Sequence, residues 1–154
     1  MLKILGIIAI LIAVVLVGFF VRGQNNSLNT EEKSQVKEAQ TKQAPVLKDI
    51  STREATGLVE KNKDNPDFVI IDVRTPPEYA PEHLEKATNL DYSSGSFRSE
   101  LEKLDKNEIY LIYCRSGNRS KKALVVMREL GFNEVYNMLG GITAWTNSGF
   151  PTVK

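Results

Sequence analysis

Apolar residues along this chain fall into two rhythms, which together predict a run of alternating strands and helices from about Val46 onward. VLKDI, at 46–50, reads as a short strand. Ser51-Thr52-Arg53-Glu54 then has the S-x-x-E spacing of a capping box and predicts a helix through about Lys63, broken at Asn65-Pro66. FVIIDV, from Phe68 to Val73, is rich in β-branched residues and apolar on both faces, as a strand covered by helices on each side would be. Pro76 and Pro77 start a short helix toward Leu84, ATNLD is a further strand, and Phe97, Leu101 and Leu104 share one face of a helix. IYLIYC is the next strand, KKALVVMREL a helix with Leu124, Met127 and Leu130 in one stripe, and Gly131 is placed to end it. EVYNM is the last strand, and a short helix around Ile142 to Trp145 follows Gly140-Gly141. This order predicts an α/β fold: a parallel sheet of about five strands with helices on both faces.

A different pattern precedes it. Ile4 to Val21 is an unbroken apolar run of 18 residues, which as a helix is about 27 Å long and nearly spans a bilayer core, with Lys3 and Arg22 at its ends. A cleaved secretory signal competes, but this core exceeds the usual ~7–15 residues and no A-x-A site follows it. Residues 1–22 are therefore expected to be a transmembrane or signal-anchor segment, an N-terminal hydrophobic helix at the membrane. Residues 23–45, rich in Gln, Asn, Lys, Glu and Ser, read as a polar stalk, and 46–154 as the folded domain. The short start before the span favours an extracytoplasmic domain. The basic residues after it, Arg22, Lys33, Lys37 and Lys42, argue the other way.

Charge adds one exclusion and cysteine content another. The net charge is +1, and with Lys3 and Arg22 set aside the body is close to neutral, so nothing global points to nucleic acid. A single cysteine excludes an internal disulfide, and with a single histidine the cysteine-histidine zinc patterns cannot be assembled; no metal and no cofactor is expected.

That one thiol, Cys114, stands where the apolar run EIYLIYC meets the loop CRSGNRS. In a parallel sheet, ligands bind where strands end and helices begin. Loop N–H groups and a helix N-terminus there form an anion-favouring concavity, and Arg115, Arg119, Lys121 and Lys122 add positive charge with no acid in sequence until Glu129. Such surroundings favour thiolate and hold an anion against it. A lone cysteine ending a buried strand is otherwise a small hydrophobe; the polar, Gly and Arg residues behind this one weigh against that reading.

Four stretches in order resemble the single-domain rhodaneses, a sulfurtransferase family. They are IIDVR at Ile70 to Arg74 with Glu78-Tyr79, EHLEKATNL around His83, Ala87 and Asn89, the CRSGNRS loop, and LGGITAWTNSGFP with Trp145, Gly149 and Pro151. The likeness covers about Val46 to Lys154. Glu82 and Lys86 stand where the family commonly has glycine, which puts the shape of that turn in question. The resemblance implies a transfer of sulfane sulfur from a small anionic donor such as thiosulfate to a thiol or cyanide, through a persulfide on Cys114. Arg115, Ser116, Gly117, Asn118, Arg119 and Ser120 would bind the substrate, with loop N–H groups stabilising the persulfide and the two arginines neutralising the donor. Asp72 and Arg74, a charged pair ending an apolar strand, are expected to be structural, as is His83; Trp145 and Tyr136 are expected in the core or the pocket wall.

Three other classes fit parts of the pattern. A cysteine-dependent phosphatase also uses an anion cradle, but with five residues between Cys and Arg, whereas Cys114 and Arg119 enclose four. A membrane-tethered sulfur carrier or sensor, loaded and unloaded by protein partners, would use the same thiol. A docking domain without chemistry would not need it.

Overall fold

The computed structural model describes residues 44–154, which form one compact unit. The expected N-terminal hydrophobic helix and polar stalk lie outside the described residues; among those described, no helix is long and apolar enough to cross a membrane. Five strands alternate with five helices: β1 (Val46–Ile50), α1 (Thr52–Lys61), β2 (Phe68–Asp72), α2 (Pro76–Tyr79), β3 (Ala87–Asn89), α3 (Phe97–Glu102), β4 (Ile109–Tyr113), α4 (Asn118–Glu129), β5 (Glu134–Met138) and α5 (Gly141–Asn147).

All pairings are parallel and the sheet order is β1-β5-β4-β2-β3, with β4 in the middle. The alternation of a strand explains how one apolar run serves two cores. Ile71, Tyr110, Ile112, Cys114 and Val135 pack under Phe97 and Leu101 of α3 and Ala123, Leu124 and Met127 of α4. Their neighbours Ile70, Leu111, Tyr113 and Met138 face the other way, against Ala55 of α1 and Ile142 and Trp145 of α5. Leu111 to Tyr113 are fully buried, so truncating Leu111 to alanine would cost about 2–5 kcal/mol.

The capping box at Ser51 forms as expected, Glu54 Oε2 accepting from Ser51 N–H at 2.8 Å and Ser51 Oγ from Glu54 N–H at 3.3 Å. The helix begun by Pro76-Pro77 is shorter than the pattern predicts. It ends at Tyr79 rather than running toward Leu84, because Pro81 cannot continue it. The chain then bends through His83, which bridges antiparallel to Val153, and buries Leu84. Lys86 follows with φ 63°, a left-handed backbone that favours glycine. A glycine, which the resemblance leads one to expect here, would adopt it without strain; the lysine's Nζ donates to Lys63 O at 2.8 Å.

Candidate active site

The central strand delivers Cys114 to the edge of the sheet, and the following loop folds back over it. Gly117, at φ 94°, caps α4 and turns its N–H onto the cysteine, with N to Sγ 3.2 Å. A side chain at that position would be strained and would press on Gly140 N–H. Buried Ser120, one turn into α4, donates its hydroxyl to Gly117 O at 3.1 Å and lies 3.6 Å from Sγ. Burial pushes the Cys114 thiol up. The N–H and hydroxyl of Ser120 and the N–H groups of Ser116 and Arg119 outweigh that effect, so it lies below its ordinary value. Cys114 is only 1% exposed, so a reactant must present a small terminal atom to the sulfur.

The other side of the loop is pinned by α5. Ile142 N–H donates to Cys114 O at 2.9 Å and Thr143 N–H to Arg115 O at 3.1 Å. With those carbonyls drawn outward, the loop's N–H groups are left to face inward. The contact is close enough that a Cβ on Gly141 would overlap the Cys114 carbonyl. The paired glycines thus belong to the site through their backbone.

The wall opposite α4 comes from the end of β2 and from α2. Asp72 is fully buried and holds Arg74 through Nε at 2.9 Å and Nη2 at 2.7 Å. Arg74 Nη2 also donates to Glu82 O, and Asn89 Nδ2 ties the Asp72 and Arg74 carbonyls at 3.0 and 2.7 Å. These contacts fasten the start of α2 to β2 and β3. His83 stacks on Tyr79 at 3.8 Å and its Nδ1 lies 3.1 Å from Tyr79 O, so it belongs to the same scaffold. Trp145 is buried, and its indole N–H donates to Pro151 O at 2.8 Å.

Sequence reading missed Glu78. From α2 it meets Arg119 in a two-pronged pair, both contacts 2.7 Å, while Thr75 N–H and hydroxyl steady the same carboxylate at 3.1 and 2.9 Å. Arg119 pulls the Glu78 carboxyl down to about 2. The loop has no acid nearby in sequence, but the fold brings one to it from 41 residues away. Arg115 is exposed, and its guanidinium has no hydrogen-bond or ion-pair partner among the described residues. Ser116 and Asn118 are exposed at the rim. Of the two arginines in the loop, only Arg119 is already paired.

The family model for the rhodanese-like domain matches residues 55–148. A sulfurtransferase of Allochromatium vinosum is 33% identical over 104 residues, covering 68% of this chain and 95% of its own. The thiosulfate sulfurtransferase GlpE of Coxiella burnetii is 39% identical over 100 residues, covering 65% of this chain and 88% of its own. Among solved structures, a rhodanese-related protein of Thermoplasma volcanium matches with a TM-score of 0.58 at 27% identity, over 69% of this chain and 97% of that one. A rhodanese-like domain protein of Staphylococcus aureus matches at 0.54 and 33%, over 64% and 90%. With the parallel five-stranded sheet and the loop that closes over Cys114, these matches lead to one conclusion: the chain belongs to the rhodanese-like family.

Proposed function

We propose that this chain is a sulfurtransferase that carries sulfane sulfur as a persulfide on Cys114, taking it from a small anionic donor, with thiosulfate as the simplest assay substrate, and passing it to a thiol or cyanide. The observation that carries this reading is the sulfur itself, buried beneath inward N–H donors with Gly117 N at 3.2 Å. The thiolate attacks the donor's outer sulfur, a new S–S bond forms, and the old one breaks with its electron pair leaving on sulfite. A second nucleophile then attacks the outer sulfur of the persulfide, and Cys114 departs as thiolate. No outside oxidant is needed, and one cysteine suffices. The N–H groups stabilise negative sulfur in both half-reactions, and Arg115, unpaired among the described residues, attracts the donor. Replacing Cys114 by Ser should abolish thiocyanate formation from thiosulfate and cyanide while leaving the fold intact; normal turnover in that variant would sink the proposal.

The proposal includes location: residues 4–21 hold the domain at a membrane, on the extracytoplasmic side. Because Cys114 is buried, the test uses Ser94→Cys, an exposed position, in a Cys114→Ser background. A membrane-impermeant thiol reagent should label it in intact cells. Labelling only after permeabilisation would reverse the orientation.

A further inference from the structure

We propose that Glu78 is a specificity-determining residue: by committing Arg119 to an ion pair, it leaves the cradle one uncommitted arginine and tunes it to singly charged sulfane donors over the thiosulfate dianion. This rests on the Cys114 reading above and names the donor class for the same site.

Two arginines lie within the loop, and the fold treats them differently. Arg115 is exposed and has no side-chain partner among the described residues. Arg119 is gripped on both Nη atoms by Glu78, with side-chain exposures of 27% and 32% that leave the pair in reach of solvent and of a bound donor. Lys121 extends to within 4.0 Å of Asp49, and its side chain is mostly solvent-exposed. Arg119 also belongs to the loop that folds over the sulfur, and its basicity is raised first by Glu78, against the effect of burial, and further by the Cys114 thiolate. Glu78 thus sets the charge that an incoming anion meets. A dianion loses about twice what a monoanion loses when that positive charge is cancelled. The closest hydrogen bonds to Sγ come from neutral groups, Gly117 N–H and the Ser120 hydroxyl, so the charge an anion meets is set by the arginines and by what pairs with them.

Methanethiosulfonate is the matched probe, because it carries the same terminal sulfur as thiosulfate with a methyl group in place of one charged oxygen. In Glu78→Gln, the ratio of kcat/KM for thiosulfate to that for methanethiosulfonate should rise roughly three- to tenfold at low salt, and the gain should shrink as salt is raised. Glu78→Met is a second neutral variant, should the first not fold. Glu78→Gln combined with Arg119→Gln restores the local charge and should return the ratio to near the wild-type value. If Glu78 only props the loop, both donors would suffer alike; an unchanged or lowered ratio in the neutral variants, or a gain that persists in the double variant, overturns the proposal. Cys114→Ser is run beside them. Activity surviving there would defeat the persulfide reading itself, which the ratio does not test.

Discussion

Two acid-arginine pairs stand a few residues apart along the same wall, and they differ in what surrounds them. Asp72 and Arg74 are sealed, with side-chain exposures of 0% and 6%, and Arg74 Nη2 also donates to a backbone carbonyl, that of Glu82. Glu78 and Arg119 form an equally close pair, but about a third of each side chain remains in solvent and the arginine stands in the loop that folds over the sulfur. Sealed charge is structural, since removing one partner strands the other away from water. Half-open charge contributes little to stability, since water replaces the lost partner, yet it acts on any anion that enters. The first pair holds the second in place: Asp72-Arg74 fixes the turn from which α2 presents Glu78.

The sealed pair gives the largest expected effect. Arg74→Ala leaves Asp72 buried and unpaired and should lower unfolding free energy in urea by about 3–5 kcal/mol. A loss under 1 kcal/mol would remove the distinction between the pairs. Next comes Gly141→Ala, which forces a side chain at φ 58° into the Cys114 carbonyl. It should cost about 1–3 kcal/mol and, by turning the loop's N–H groups away from sulfur, lower kcat/KM by roughly a hundredfold. Full activity there would show that α5 does not set the loop.

Smaller effects belong to the open pair. Glu78→Gln should change stability by about 0–1 kcal/mol. Its carboxyl is held near 2, below the unfolded carboxylate range, so its contribution is present above about pH 4.3 and fades as pH falls toward 2. The wild-type and Glu78→Gln unfolding curves should therefore run parallel from pH 5 to 9 and converge only in acid; divergence near neutrality would contradict the assignment. The mildest change is Ser120→Ala. The hydroxyl favours thiolate, so its loss should move the rising limb of the pH–rate profile to higher pH, with the plateau nearly kept. An unmoved limb would show that the backbone N–H groups alone set the thiol.

Much of this was legible in the sequence where the causes are local. Strand-length apolar runs, the Ser51 capping box and the Gly131 stop depend on neighbours in the chain, and each strand and most helices follow from them. CRSGNRS was readable as a cradle for the same reason, since a loop entering a helix supplies its own N–H groups. What escaped depends on distance. Glu78 looks like part of a helix start beside Thr75, a role it does fill, and nothing in its own stretch says that Arg119 folds against it. The α5 contact likewise shows only once β5 lies beside β4, although the adjacent glycines were a sign of close approach. Lys86 was visible as a departure, but its strained backbone was not.

The central claim is that sulfur rides on Cys114, and intact-protein mass spectrometry after incubation with thiosulfate tests it most directly. The expected result is a gain of one sulfur atom that maps to the CRSGNRS peptide, disappears on adding cyanide, and is missing in Cys114→Ser. No added sulfur in a folded wild-type protein, with either thiosulfate or methanethiosulfonate, or an equal gain in the serine variant, would contradict it.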